Sequence, residues 1–181
     1  MIIHLIGLGG AGKTTTGKLL SKIMNIPYFD LDEYFIERVG DIAKFINSNG
    51  YNTYAKRNVE LYIQLKQSLI EGSQSIFIFS SGFMTYSENT TVEYSELKQN
   101  IEHDSFTFLL MPSLDINECI EIIVKRQLNR SYLQTTVEKE EGKVRKRFEI
   151  YKNLGCHKVL TNQSIDRVVW DIRAMIKAED C

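Results

Sequence analysis

The sequence predicts an α/β fold with three layers, in which a five-stranded parallel sheet lies between two layers of helices. Short apolar runs alternate with segments whose apolar residues recur every three or four positions, and this alternation is typical of such folds. A glycine-rich stretch, Gly7–Thr14, joins the first strand to the first helix. The 181 residues contain no internal repeat or low-complexity linker. We therefore expect one domain over residues 1–181.

The predicted elements follow one another with start and stop signals in the sequence. The first strand ends before Gly7, and the first helix ends at Asn25, a residue that tolerates the conformation of a C-terminal cap. The other predicted strands cover residues 27–29, 76–79, 106–111 and 158–160. The other predicted helices cover residues 33–48 with a break near Gly40, 59–70, 116–130 after the capping residue Asp115, 143–153 and 165–177. Residues 83–104 are expected to form a loop and a short helix.

Residues Gly7–Thr14 match the pattern G-x-x-x-x-G-K-[ST] of a phosphate-binding loop, the P-loop. Glycines let backbone N–H groups turn inward, and the helix N-terminus adds partial positive charge. We expect ATP to be held by Gly9, Gly10, Ala11, Gly12, Lys13, Thr14 and Thr15. Lys13 would contact the β- and γ-phosphates as a catalytic residue, and the Thr14 hydroxyl would bind Mg²⁺. A glycine turn without a ligand is the alternative.

Two aspartates follow the second predicted strand. Asp30 and Asp32 are two residues apart, and alternate residues of a strand point to the same face. Ligands of open α/β sheets bind at the carboxyl ends of the strands, so we expect both carboxylates to face the cleft. One would hold Mg²⁺, and the other would orient or deprotonate the hydroxyl of a phosphate acceptor. Alternatively, one of them only caps the next helix.

The P-loop and the Phe29–Asp32 stretch together resemble the shikimate kinases and the related nucleoside-monophosphate-kinase-like enzymes. Gluconate kinases have a similar Asp-x-Asp. The resemblance implies an ATP-dependent small-molecule kinase in which Asp30 serves magnesium and Asp32 contacts the acceptor. It also implies an acceptor-binding helical region over residues 33–72.

Three later stretches extend this resemblance. Residues 130–133 resemble the R-P-L-L motif of the family's lid, which implies a lid near residues 131–142 with Arg130 as a catalytic, phosphate-contacting residue. Arg147 and Tyr151 resemble the R-x-x-x-Y motif, whose arginine binds the carboxylate of the substrate. Gly82 matches the last glycine of the family's G-G-G motif, which implies an acceptor contact.

The chain departs from the family where the acceptor binds. The family's G-E-x-x-F-R motif aligns with Gly50, Tyr51, Tyr54 and Ala55, so its arginine is missing, and two glycines of G-G-G are serines. We therefore expect a small, hydroxylated, anionic acceptor, with shikimate bound weakly at best unless Lys56 or Arg57 turns into the site. A nucleoside, nucleotide or gluconate-type kinase and a catalytically silent nucleotide-binding protein remain alternatives. A regulatory NTPase is disfavoured because the third strand leads to Ser80 rather than to an acidic residue.

Composition limits the possible partners. The formal net charge of −1 favours neither nucleic acid nor an anionic membrane as a partner. No apolar run approaches the ~20 residues that a membrane helix needs, and the three cysteines are widely spaced. We expect a cytoplasmic protein that acts on a small molecule and has no obligate protein partner. The basic residues Lys143, Arg145 and Lys146 are assigned to a solvated helix face, and Tyr51, Tyr54 and Tyr62 to helix packing.

Overall fold

A parallel sheet of five strands organises the computed structural model, which describes residues 1–129 and 135–179. The strands are β1 (Ile2–Gly7), β2 (Tyr28–Asp30), β3 (Ser75–Ile78), β4 (Thr107–Met111) and β5 (His157–Leu160), and they lie in the order β2-β3-β1-β4-β5. Leu5 of β1 pairs with Ile78 on one side and with Phe108 on the other, so β1 is the central strand. The fold class predicted from the sequence is confirmed.

The helices of the described residues cover both faces of this sheet. They are α1 (Lys13–Met24), α2 (Leu31–Arg38), α3 (Ile42–Asn49), α4 (Tyr51–Gln67), α5 (Tyr94–Glu102), α6 (Ile116–Leu128), α7 (Val137–Lys152) and α8 (Ile165–Glu179). A short 3₁₀ helix, Phe83–Thr85, follows β3. Helix α1 packs against β3 and α8, while α6 packs against α7. None of these helices combines the length and the apolar content that a membrane crossing requires.

Two helices begin earlier than the sequence analysis predicted. Helix α4 starts at Tyr51, because Gly50, with a φ of 82°, ends α3 and lets the chain turn directly into α4. Helix α7 starts at Val137 rather than near residue 143. Thr136 caps its N-terminus by accepting a hydrogen bond from the Lys139 amide. Acidic residues in the first turn interact favourably with the positive end of the helix dipole. Residues 137–142 of the expected lid are therefore helical.

Other boundary signals were read correctly. The break near Gly40 separates α2 from α3, and Gly40 has a φ of 116°. Asn25 adopts the left-handed conformation at the end of α1, and Asp115 caps α6 by accepting hydrogen bonds from the amides of Asn117 and Glu118. Gly17 is required for a different reason, because a Cβ there would lie 2.4 Å from a side-chain carbon of Ile78. The glycine therefore lets α1, the helix that follows the P-loop, pack closely against β3.

Candidate active site

The P-loop leaves the carboxyl end of β1 in a conformation that only glycine adopts readily. Gly7 has a φ of 140°, and a Cβ there would lie 2.3 Å from the carbonyl oxygen of Leu110. Gly10 and Gly12 also have positive φ angles, of 80° and 94°. These angles wrap the loop around the N-terminus of α1, where helix amides and the helix dipole favour an anion.

The P-loop lysine is held across the loop that it serves. The Nζ atom of Lys13 donates hydrogen bonds to the carbonyl oxygens of Gly7, at 2.8 Å, and of Leu8, at 2.9 Å. Its neighbour Thr15 is exposed at the start of α1. The predicted ATP-binding residues, Gly9 to Thr15, thus form a loop and the start of α1, with the lysine ammonium beside the loop.

Thr14 and Asp30 bring two oxygen atoms together beside the P-loop. The Thr14 hydroxyl donates to Asp30 Oδ2 at 2.7 Å, while Asp30 Oδ1 accepts from the amides of Asp32, at 3.0 Å, and Glu33, at 3.4 Å. Burial raises the pKa of the Asp30 carboxyl above its usual range, although the Thr14 hydrogen bond opposes the shift. The two hydrogen bonds from backbone amides fix the orientation of the Asp30 carboxylate. An oriented carboxylate beside a hydroxyl suits a hard cation.

The expected geometry of the aspartate pair is wrong in one respect. Asp30 and Asp32 do not lie on one strand face, because β2 ends at Asp30 and α2 begins at Leu31. The Asp30 carboxylate caps α2 and so starts the helix, as in the capping alternative. Asp32 lies in the first helical turn instead. The two carboxylates contact the P-loop threonine and the loop after β3, respectively, but from a cap and a helix rather than from one strand.

Asp32 contacts the loop that follows β3. The Ser80 hydroxyl donates to Asp32 Oδ1 at 2.6 Å, and the Tyr54 hydroxyl lies 3.5 Å from the same oxygen. Burial and the neighbouring Asp32 raise the pKa of Tyr54, so its hydroxyl stays neutral at physiological pH. Both of these contacts reach Oδ1. A ligand hydroxyl would therefore find Oδ2 as its acceptor.

Arg147 reaches the same loop from the opposite side of the cleft. Its guanidinium donates to the Ser81 hydroxyl at 3.1 Å and to the Tyr51 hydroxyl at 3.0 Å. The Tyr151 hydroxyl donates to the Ser81 carbonyl at 3.0 Å, so both residues of the R-x-x-x-Y stretch face the site. Arg147 takes part in none of the ion pairs between described residues. It is a half-buried cation bonded to neutral oxygens.

Gly82 completes this wall of the site. A Cβ at Gly82 would lie 2.3 Å from the Tyr51 hydroxyl and 3.2 Å from a guanidinium nitrogen of Arg147. Its φ of −99° is open to any residue, so the restriction comes from space and not from backbone conformation. The glycine allows Tyr51 and Arg147 to meet above the β3 loop.

Helix α4 brings no cation to the site. Ala55 is buried, Lys56 is exposed, and Arg57 forms an ion pair of 3.2 Å with Glu60. Two of the tyrosines that we assigned to packing, Tyr51 and Tyr54, do pack against each other and against Tyr86, and their hydroxyls in addition contact Arg147 and Asp32. Their sequence positions, in the stretch aligned with the acceptor-binding G-E-x-x-F-R motif, were the signal for this role.

The third of these tyrosines behaves as expected. Tyr62 is fully buried, and its ring packs against Phe77, Phe79 and Phe83 with centroid distances of 5.1–5.5 Å. It therefore belongs to the core of the protein, as predicted.

A small cleft lies between the P-loop, the β3 loop and helices α6 and α7. The P-loop lines it with Leu8 and Gly9, while the β3 loop and both helices contribute polar side chains, among them Ser81, Gln127, Glu140, Lys143 and Arg147. Lys143 is exposed and paired with Glu140, in line with its assignment to a solvated helix face, and it also lines this cleft. Arg145 follows the expectation, because it pairs with Glu141 at 2.8 Å on the outside of α7.

One predicted catalytic residue lies outside the described residues. Arg130 falls between residues 129 and 135, together with residues 131–134 of the expected lid. The described residues also hold no cluster of three or more histidine, cysteine, aspartate or glutamate side chains arranged to bind a metal. The Thr14–Asp30 pair is therefore the candidate metal position, of the kind in which phosphates and water supply the other ligands.

Comparisons with known proteins place this geometry in a family. The family model for shikimate kinase matches residues 9–177. A shikimate kinase from Aquifex aeolicus is 37% identical over 68 residues, which cover 37% of this chain and 40% of that protein. A shikimate kinase from Dechloromonas aromatica is 36% identical over 64 residues, 35% of each chain. The chain thus matches less than half of the length of these curated relatives.

A solved structure extends the likeness to the whole fold. A shikimate kinase from Acinetobacter baumannii, solved in complex with shikimate, has a TM-score of 0.75 and is 19% identical, covering 98% of this chain and 93% of that one. At this identity the likeness shows the fold alone.

Proposed function

Because this chain belongs to the shikimate kinase family, we propose that it is an ATP-dependent kinase that transfers the γ-phosphate of ATP to a hydroxyl of a small, anionic metabolite. The observation that carries this proposal is the convergence of two opposite charges at the end of β3. Ser80 binds the Asp32 carboxylate, and Ser81 binds the Arg147 guanidinium. Since β3 pairs directly with β1, both groups lie beside the P-loop.

The phosphate donor would occupy the P-loop. Backbone amides of residues 9–15 would cradle the phosphates, and Lys13 would leave its carbonyl partners to contact the β- and γ-phosphates. Thr14 and Asp30 would hold Mg²⁺, which neutralises charge on the phosphates when it is bound. These residues suit Mg²⁺ because the Thr14 and Asp30 oxygens are adjacent and because hydrogen bonds from backbone amides orient the Asp30 carboxylate.

The acceptor would lie between Asp32 and Arg147. Asp32 would accept the proton of the attacking hydroxyl while the oxygen bonds to the γ-phosphorus and the bond to ADP breaks. Arg147 would hold the anionic group of the acceptor, since an unpaired guanidinium is a bidentate donor for a carboxylate. Gly82 is proposed to lie against the acceptor at this wall, where it leaves room for Tyr51 and Arg147 to meet. Positioning and electrostatics supply most of the catalysis in phosphoryl transfer.

The remaining parts of the proposal come from the sequence. Arg130 is proposed as a lid arginine that stabilises charge on the transferring phosphoryl group, and residues 131–136 as the part of the lid outside α7. We propose a cytoplasmic setting, a small-molecule acceptor, and no requirement for nucleic acid, a membrane or a protein partner.

The experiment that tests this function is a screen of hydroxylated metabolites for ADP formation with ATP and Mg²⁺. The panel contains shikimate, gluconate, quinate and nucleosides, with a Lys13→Ala variant as the blank. We expect ADP formation that depends on a hydroxy acid. Turnover only with uncharged acceptors would remove Arg147 from the site, and tight ATP binding without any acceptor-dependent turnover would favour a silent nucleotide-binding protein.

A further inference from the structure

The cleft beside Arg147 contains a second cation, and its placement suggests a function. Lys143 lies four residues before Arg147 on α7, so the two side chains share one helix face. Both line the cleft between the P-loop and the β3 loop. Nearly half of the Lys143 side chain is exposed, so its ammonium is accessible from the cleft.

The partner of Lys143 is a buried carboxylate that other donors also satisfy. Glu140 is 3% exposed, and its Oε1 atom lies 2.6 Å from Lys143 Nζ. The Thr135 hydroxyl donates to the same oxygen at 2.6 Å, and the Gln127 amide donates to Oε2 at 3.3 Å. Burial opposes ionisation of Glu140, but these hydrogen bonds outweigh it and lower the pKa, so the group is a carboxylate. If Lys143 turned away, Glu140 would keep two hydrogen bonds.

The opposite wall of the site offers no competing cation. On α4, Ala55 is buried and neutral, Lys56 is exposed, and Arg57 is paired with Glu60. Among the described residues that line the cleft, the positive charge therefore comes from Lys143 and Arg147 on α7. An anionic ligand in this cleft gains more by facing α7 than by facing α4.

A second observation points to a ligand in the same cleft. The side-chain oxygen of Gln127 is buried and has no hydrogen-bond partner among the described residues. Gln127 lines the cleft and packs against the P-loop, where a Cβ at Gly10 would lie 3.2 Å from its Cγ. A buried carbonyl oxygen without a partner costs free energy, and a ligand hydroxyl or a water molecule would satisfy it.

We infer that Lys143 and Arg147 form a two-cation clamp for the carboxylate of the acceptor, with Lys143 moving from Glu140 to the ligand. This inference rests on the proposed function only in naming the ligand as the acceptor. The clamp takes both of its cations from α7, so binding of the acceptor carboxylate does not require a cation from α4. Glu140 offsets the charge of Lys143, so an acid must compete with this carboxylate for the ammonium.

The test is direct binding, which does not require turnover. Shikimate and gluconate are titrated by calorimetry into the full chain, with a non-hydrolysable ATP analogue and Mg²⁺ filling the P-loop. We expect Lys143→Met to weaken binding of the tighter acid about ten- to a hundredfold, as loss of one charged hydrogen bond does. Lys143→Arg should stay within a few-fold of wild type. Affinity for the ATP analogue should not change.

Lys146→Met is the matched control, because Lys146 is exposed on the same helix and the change removes the same charge. It should leave acid binding unchanged. An equal loss in both variants would mean a general field effect and would overturn the clamp, as would wild-type binding in Lys143→Met. Failure of wild type to bind either acid at millimolar concentration would also overturn it.

A change at Glu140 tests the transfer of Lys143 to the ligand. Glu140→Gln keeps the shape of the side chain but removes the charge that competes for Lys143, so acid binding should tighten severalfold or hold. A tenfold weakening would overturn the transfer. If acid binding depends on Lys143 but no acid is phosphorylated, the proposed function fails and the clamp stands. Efficient turnover that is unaffected by Lys143→Met would give the reverse conclusion.

Discussion

The donor and acceptor sides of the cleft are built in different ways. The donor side is one continuous segment, Gly7 to Thr15, whose shape follows from positive φ angles and from the close contact of Gly7 with β4. The acceptor side is assembled from side chains on α2, α4, α7 and the loop after β3. The first depends on backbone conformation and the second on tertiary packing.

This difference has a consequence for specificity. A backbone cradle recognises phosphate in any nucleotide, and few substitutions in it are tolerated, since glycine alone fits several positions. A wall of side chains can change its ligand through a few substitutions without disturbing the sheet. The chain keeps the donor side of its family and carries Tyr51, Ala55, Ser80 and Ser81 on the acceptor side. Substitutions on one side should therefore leave ligand binding on the other side unchanged.

The largest effect is expected on the donor side. Lys13→Ala should abolish phosphoryl transfer, because no other described side chain of the P-loop brings a positive charge to the phosphates. The fold should survive, since Lys13 donates hydrogen bonds to carbonyls of the loop and does not belong to the hydrophobic core. Lys18→Ala, on the exposed face of the same helix, is the control and should retain turnover. ADP formation and thermal unfolding are measured for both. Near-normal turnover in folded Lys13→Ala protein would contradict the P-loop assignment.

Asp30 and Asp32 lie in one short segment, but their variants should affect different sides of the site. Asp32→Asn should lower kcat by several orders of magnitude and leave the affinity for ATP nearly unchanged, because it removes the proton acceptor. Asp30→Asn should instead raise the magnesium concentration needed for half-maximal turnover. Steady-state kinetics at varied Mg²⁺ distinguish the two. If Asp32→Asn left kcat unchanged, the residue would serve the structure of α2 and not the reaction.

The sequence predicted the strand–loop–helix arrangement of the P-loop, but only part of the side-chain arrangement around the β3 loop. The spacing of Gly7, Gly12, Lys13 and Thr14 fixes a local structure, so its geometry could be read from the motif. Local sequence does not show which helix face turns toward a distant loop. Lys143 is exposed, as its charged surroundings predicted, but its place at the edge of the cleft was therefore not predicted, although its spacing from Arg147 was visible.

Boundaries set by capping were the other source of error. Whether Asp30 extends a strand or starts a helix depends on which amides its carboxylate reaches, and only the folded chain shows that. The same applies to Thr136, which starts α7 earlier than the charged sequence suggested.

The arginine proposed for the lid, Arg130, should give the next largest effect. Arg130→Ala should slow transfer on the order of 10²-fold, as the loss of one charged contact to the transition state does. Arg126→Ala is the comparison, because its guanidinium donates to the Gly10 carbonyl at 3.2 Å and so contacts the P-loop directly. Single-turnover rates at saturating ATP separate the chemical step from binding. A larger loss of that rate in Arg126→Ala than in Arg130→Ala would move the role to Arg126.

The protein should lose stability at low pH because of a buried histidine on the strand that leads into the P-loop. His4 is 3% exposed on β1, the strand that leads into the P-loop, and its Nδ1 lies 3.0 Å from the Thr107 hydroxyl. Burial lowers the pKa of His4 to about 4, so the unfolded chain takes up this proton first as the pH falls. The stabilisation is complete above about pH 6.5 and is lost as the pH falls towards 4. The difference is about 3 kcal/mol.

Urea denaturation between pH 7 and 4.5 measures this loss. His4→Gln should flatten the dependence of the unfolding free energy on pH in that range, because glutamine stays neutral and can bond Thr107. His103→Gln, at an exposed position, should leave the dependence as it is. A wild-type curve that His4→Gln does not change would assign the loss to carboxylates instead.

The smallest effect should come from a single hydroxyl on the acceptor side. Tyr51 accepts a hydrogen bond from Arg147 at 3.0 Å, and an incoming carboxylate must compete with it for the guanidinium. Tyr51→Phe removes this competitor, so the Kd of the accepted hydroxy acid should fall about two- to tenfold, the range of one neutral hydrogen bond. Tyr62→Phe is the control, because its buried hydroxyl has no described hydrogen-bond partner and belongs to the core. Calorimetry with the ATP analogue bound gives both values. Weaker acid binding in Tyr51→Phe would mean that the hydroxyl contacts the acceptor itself and belongs to the recognition surface.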